Sequence, residues 1–132
     1  MAHQFTGIRQ ANVEAYDPLW AKVRAEAEEI TQQEPALGGF IFANVLNHSR
    51  LEDAISHRLA QRLGHGDVSA DLISQTFSGV LDRDSELPGI FRADLAAVAD
   101  RDPACNRIIE PLLYFKGFHA LQTQRFAHRL WR

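Results

Sequence analysis

No stretch of the 132 residues alternates apolar and polar side chains as a half-buried strand requires; apolar residues recur instead three and four apart, the spacing that gathers them on one helix face. Eighteen Ala and 14 Leu against eight Ile and six Val strengthen that reading, because unbranched side chains lose little rotamer freedom in a helix. The expected fold class is all-α, a compact array of about six or seven helices with no sheet. These segments differ in length and share no sequence period, so a repeat array is not expected.

Residues 1–16 carry weak periodicity and read as an N-terminal extension, either mobile or a peripheral helix. Residues 17–132 read as one packed unit, since no Pro-, Gly- or Ser-rich linker divides them. Asp17-Pro18 opens the first helix, Asp17 as cap and Pro18 where its missing N–H costs nothing. Trp20, Val23, Ala27 and Ile30 share its apolar face, whereas Glu26, Glu28 and Glu29 read as a solvated side. Pro35 restarts the chain, and Gly38-Gly39 interrupts the apolar segment Leu37 to Leu46, as a loop or as helix tolerated for close packing. Ser49 and Glu52 form a capping-box pattern ahead of Leu51, Ile55 and Leu59, with a stop at Gly64. Ser69 caps a helix bearing Leu72, Ile73, Phe77, Val80 and Leu81, and another begins near Pro88 and buries Phe91, Leu95 and Val98. A short helical turn is expected after Pro103, then a helical stretch from Pro111 to Trp131 with a bend at Gly117.

The net charge of −3, with its cations scattered, supplies no field for gripping phosphate backbones, so no nucleic-acid partner is expected. No apolar run nears the ~18 residues of a membrane span, and no membrane association is expected. Cys105 is the sole cysteine and has no internal disulfide partner, and no secretory leader opens the chain, which fits a cytoplasmic protein.

Six histidines invite a metal reading, yet none lies three or four residues from another. His119 and His128 are nine residues apart on one helix and point about 180° apart, so no metal site is expected. Cys105 reads as a nucleophile or as a small buried filler, and the filler needs no activating partner. Asp102, ahead of Pro103, reads as an N-cap of the next helix or as a carboxylate that holds a ligand ammonium group.

The run Pro111-Leu112-Leu113-Tyr114-Phe115-Lys116-Gly117-Phe118-His119-Ala120-Leu121-Gln122, followed by Arg125, His128 and Leu130-Trp131, resembles the end of the helical N-terminal domain of bacterial serine O-acetyltransferases. The likeness extends upstream through Arg101-Asp102-Pro103-Ala104, Leu51 to Leu63, Glu34-Pro35, and Leu19-Trp20 with Arg24-Ala25-Glu26-Ala27.

That resemblance implies a part of an enzyme that transfers acetyl from acetyl-CoA to the L-serine hydroxyl in cysteine biosynthesis. It implies that the general-base histidine and the acetyl-CoA pocket belong to a left-handed β-helix of hexapeptide repeats C-terminal to this domain. No such repeat occurs here, so no catalytic or cofactor-binding residue is expected in the chain, which is expected to be inactive alone. Asp102 matches a family aspartate that binds L-serine, or inhibitory L-cysteine, in the same pocket. The family hexamer, two trimers joined through these helices, implies a homo-oligomer here, with Phe40-Ile41-Phe42 and the aromatic C-terminal helix divided between core and interface. The family's sulfhydrylase partner binds a C-terminal tail that this sequence lacks, so that complex is not expected. The alternative is a standalone helical interaction or regulatory module that acts on a partner protein.

Overall fold

In the computed structural model of the chain, residues 17–131 are described, and the expected N-terminal extension lies outside them. The described residues hold seven α-helices and no strand: α1 Pro18–Gln33, α2 Gly38–Ile41, α3 Leu51–Leu63, α4 Ala70–Arg83, α5 Leu87–Arg101, α6 Ile109–Tyr114 and α7 Lys116–Trp131. A 3₁₀ turn, Pro35–Leu37, leads into α2, and a π-helical turn, Phe42–Leu46, continues it.

α1 begins as expected, with the Asp17 carboxylate accepting from the Trp20 N–H at 3.2 Å. Trp20, Val23 and Ala27 are fully buried, and the Trp20 indole N–H donates to the Ser49 carbonyl at 3.0 Å. Arg24 donates to the carbonyls of Leu46 and His48 at 3.3 and 2.7 Å, so α1 holds the whole turn that precedes α3.

This arrangement replaces the expected Ser49–Glu52 capping box. α3 starts at Leu51 after an extended Arg50, one residue later than that box requires, and no side chain caps it. Glu52 turns away to Arg92 at 2.8 Å, and Arg92 also donates to Asp17 at 3.1 Å. Arg92 on α5 thereby joins the starts of α1 and α3. The Gly38-Gly39 pair is helical, but close packing does not account for it. A Cβ at Gly39 would meet no atom within 4 Å.

At the end of α3, Gly64 has an ordinary φ of −63°, and its need is spatial: a Cβ there would lie 2.9 Å from the Ala70 backbone nitrogen. Ser69 caps α4 through the Leu72 N–H at 3.1 Å. Phe77 and Val80 are buried, but Leu72 is 54% exposed. Ahead of α5, Asp84 closes the turn by accepting from the Glu86 and Leu87 N–H groups at 2.9 and 3.1 Å. Phe91 and Leu95 are buried and Val98 is half-buried.

The C-terminal stretch breaks at Phe115, not Gly117. Phe115 is extended at φ −83°, ψ 108°, which ends α6, and Gly117 lies inside α7. α7 carries Phe126 into the middle of the core, stacked on Phe77 with centroids 4.0 Å apart and tilted against Phe91 at 5.3 Å. Asp94 fixes α7 to α5 by accepting from Arg125 at 2.6 and 3.1 Å and from Gln122 at 3.1 Å. Of the Phe40-Ile41-Phe42 cluster, Ile41 is fully buried and Phe42 is 55% exposed.

Phe126→Ala removes a fully buried ring that contacts two others. The expected loss is about 3–5 kcal/mol, read from urea unfolding followed by circular dichroism. A loss below about 1 kcal/mol would show that the aromatic stack does not hold the core.

Candidate functional site

Asp102 closes α5. The following Pro103 disfavours the α region for the residue before it, and Asp102 adopts φ −86°, ψ 114°. Its backbone N–H still donates to the Val98 carbonyl at 2.9 Å, so the residue remains attached to the last turn of α5. No helix starts at Pro103: residues 103 and 104 form a turn, and α6 does not begin until Ile109. The N-cap reading of Asp102 is therefore corrected. Its carboxylate Oδ1 accepts from the Ala104 N–H at 2.9 Å, an Asx turn, while its carbonyl accepts from the Cys105 N–H at 3.0 Å. The second carboxylate oxygen has no hydrogen-bond partner among the described residues. A half-exposed carboxylate with one oxygen fixed by the backbone and the other open can receive an ammonium donor in a defined direction.

The remainder of the α5–α6 loop is held by carboxylates. Glu110 Oε1 accepts from the N–H groups of Asn106 and Arg107 at 2.7 and 3.3 Å. Glu26 Oε1, from α1, accepts from the Ile109 N–H at 3.0 Å. Arg107 reaches Glu29 at 3.5 Å and Gln33 at 3.4 Å. The expectation of a solvated side holds for Glu28 and Glu29, which are exposed, and fails for Glu26, which is half-buried; Glu26, Glu29 and Gln33 form a stripe against the loop. Their spacing of three and four residues marks one helix face in the sequence. The contact across 83 residues does not.

The other candidates separate from this site. Cys105 is half-buried and its thiol donates to the Arg107 carbonyl at 3.1 Å. Burial first, and then the carboxylates of Glu110 and Asp102, push that thiol up from its ordinary pKa, which suits a filler and not a thiolate nucleophile. His119 is buried on α7, and its Nε2 donates to the Leu112 carbonyl at 2.6 Å, whereas His128 is exposed. His48 and His57 pack with ring centroids 4.9 Å apart beside a polar recess of about 290 Å³ that also contains Ser56 and Ser74. Among the described residues no three His, Cys, Asp or Glu side chains converge as a metal set. No helix among them is long and apolar enough to cross a membrane.

Residues 19–123 match the family described as "Serine acetyltransferase, N-terminal". Serine acetyltransferase 4 of Arabidopsis thaliana is 39% identical over 118 residues, which cover 89% of this chain and 33% of that protein. Serine acetyltransferase from Brucella abortus strain S19, solved with coenzyme A, superposes with a TM-score of 0.86 at 51% identity, covering 90% of this chain and 48% of the other. The Neisseria gonorrhoeae enzyme solved with serine superposes at 0.83 with 36% identity, covering 86% of this chain and 47% of the other. The chain thus spans about a third to a half of the length of such relatives.

Two histidines carry a pH dependence. Burial, then the proximity of His48 and Arg58, lowers the pKa of His57 below its ordinary value. Burial also lowers that of His119, against the opposing hydrogen bond to Leu112. The unfolded chain therefore takes up protons first as pH falls through about 6.5. Stability is full above that value and declines below it toward the folded-state pKa values. Asp84 adds a further loss at lower pH, because its hydrogen bond from Arg129, and then those from Glu86 and Leu87 working against burial, hold its carboxyl below the ordinary range. The urea midpoint is expected to fall between about pH 7.5 and 5.5, and less so in His57→Gln and His119→Gln. A midpoint unchanged over that interval would refute this assignment.

Proposed function

The chain belongs to the serine acetyltransferase N-terminal domain family, and from that premise we propose that it serves as the assembly and substrate-site-completing domain of a serine O-acetyltransferase. In this reading the complete enzyme moves acetyl from acetyl-CoA to the L-serine hydroxyl for cysteine biosynthesis. Asp102 supplies the carboxylate that receives the amino-acid ammonium group. The observation that carries this reading is the Asx turn, which fixes one Asp102 oxygen on the Ala104 N–H and leaves the other open. A charge-assisted hydrogen bond of this type contributes about 1.5–3 kcal/mol, enough to affect affinity strongly but not to bind serine alone. The Neisseria relative solved with serine and the Brucella relative solved with coenzyme A support the substrate and co-substrate assigned here.

None of the buried histidines is given a catalytic role. His119 already donates to a backbone carbonyl, and the base that deprotonates serine is assigned to the β-helix domain of the complete enzyme, as is the acetyl-CoA pocket. The second part of the reading is homo-oligomeric assembly through helical faces, hexameric in the complete enzyme. Phe42, Tyr114, Leu121, Leu130 and Trp131 are exposed, with Trp131 at 93%, and such apolar surface suits burial against other subunits. The free Cys105 suits the reducing environment of the cytoplasm.

The test joins residues 17–132 to the catalytic half of the Brucella abortus enzyme. The 132-residue chain alone is expected to show no acetyl transfer, and the joined protein to acetylate L-serine. Asp102→Ala in the joined protein is expected to raise the serine KM about tenfold or more with the acetyl-CoA KM unchanged. An unaltered serine KM removes Asp102 from the substrate site. Sedimentation velocity is expected to show self-association of the chain, and a strict monomer throughout the micromolar range would overturn the assembly role.

A further inference from the structure

Asp102 is useful as a binding group only if its carboxylate is held in place, and a hydrogen bond fixes the backbone N–H at each end of the loop that carries it. The first is local: the Asp102 N–H stays on the Val98 carbonyl at the end of α5. The second comes from the far side of the sequence. Glu26 on α1 accepts from the Ile109 N–H at 3.0 Å, at the first residue of α6. Between these ends Ile108 packs into the core and Arg107 reaches α1, and the remaining hydrogen bonds run within the loop or to Glu110: Asp102 to Ala104 and Cys105, Cys105 to Arg107, and Glu110 to Asn106 and Arg107. Those bonds preserve the loop's internal shape but do not place it on the body of the protein. The guanidinium of Arg107 reaches Glu29 and Gln33 at 3.5 and 3.4 Å, near the limit of hydrogen bonding, so Glu26 has the shortest contact of the α1 stripe.

α6 cannot hold this end of the loop unaided. It has six residues, too few to be stable by propagation alone, and no side chain of its N-cap residue Ile108 caps it. Glu26 supplies the missing acceptor. The residue itself is placed by the burial of its helix neighbours Val23 and Ala27, which fix the orientation of α1.

We propose that Glu26 is a positioning residue for Asp102, setting the place of the α5–α6 loop and through it the affinity for the amino-acid substrate. This rests on the reading of Asp102 as the ammonium-binding carboxylate. Glu26 does not touch the substrate. It acts through the Ile109 N–H, and the Gln side chain, whose amide oxygen accepts the same hydrogen bond, should substitute for it.

Two measurements test the proposal. In the 132-residue chain, amide hydrogen exchange followed by NMR is expected to quicken about tenfold at Ile109 and Ala104 in Glu26→Ala, with the amides of Leu59 and Phe91 unchanged. Glu26→Gln should exchange like the parent. A general structural role would quicken all of these amides together, and that result, or an unchanged Ala104, overturns the proposal. In the joined enzyme, Glu26→Ala is expected to raise the serine KM about fivefold while kcat and the acetyl-CoA KM stay within about twofold, with recovery in Glu26→Gln. If Asp102→Ala raises the serine KM and Glu26→Ala does not, the positioning role alone is refuted. If Asp102→Ala itself has no effect, the substrate-site reading fails first, and the exchange experiment still reports whether Glu26 holds the loop.

Discussion

Each helix end leaves backbone groups without an intrahelical partner, and a chain that divides about 115 residues among seven helices has many such ends. The way these groups are satisfied organises the structure. The Trp20 indole and the Arg24 guanidinium of α1 reach the carbonyls of Leu46, His48 and Ser49, and Arg58 of α3 reaches the Leu113 carbonyl near the end of α6 at 3.0 Å. Glu26 takes the first N–H of α6. Each of these bonds gives a backbone group at a helix end, or in the turn beside one, a side-chain partner from another helix, so the contacts that finish local structure also fix the relative positions of the elements. Apolar burial around Phe126 supplies the driving force. The termini determine which helix lies where.

The same distinction explains which features the sequence discloses. Asp17 and Ser69 cap their own helices through N–H groups three residues on, so adjacency in sequence is enough to identify them. The Ser49–Glu52 pattern has the right local spacing, but the helix starts one residue late, at Leu51, and the Glu52 carboxylate is taken by Arg92. No local rule ranks a capping box against a guanidinium on another helix. Glu26 escapes notice for a related reason: a glutamate on the polar side of an amphipathic helix looks solvated until the loop that covers it is placed. The break at Phe115 is equally hidden, because Gly117 is the conspicuous breaker and Phe115 carries no intrinsic preference for a bend.

The candidate site is legible as a residue and not as a geometry. Asp102-Pro103 is visible in the sequence, and the steric effect of proline on the preceding residue explains the end of α5. In the turn that stands after it in place of a helix, Glu110 reaches back to Asn106 and Arg107, and Glu26 reaches across from α1 to the Ile109 N–H. The carboxylate is thus oriented by an Asx turn, in a loop held by its own hydrogen bonds and joined to α1 at its far end. A family likeness identifies the residue as a candidate, whereas the hydrogen bonds account for its orientation.

Gly64 shows a different kind of constraint. Its backbone angles lie where any amino acid is comfortable, so dihedral preference alone would treat the position as freely replaceable. The closeness of the Ala70 backbone, 2.9 Å from where a first side-chain carbon would stand, removes that freedom. The corner between α3 and α4 therefore works as a spacer of fixed width. Even a methyl group there would act as a wedge, shifting the start of α4 and, through the rigid helix, the face that meets Phe126. Variation in residues 65–69 is tolerable only to the extent that it preserves that width, which makes a surface corner as demanding of its residue as the centre of the core.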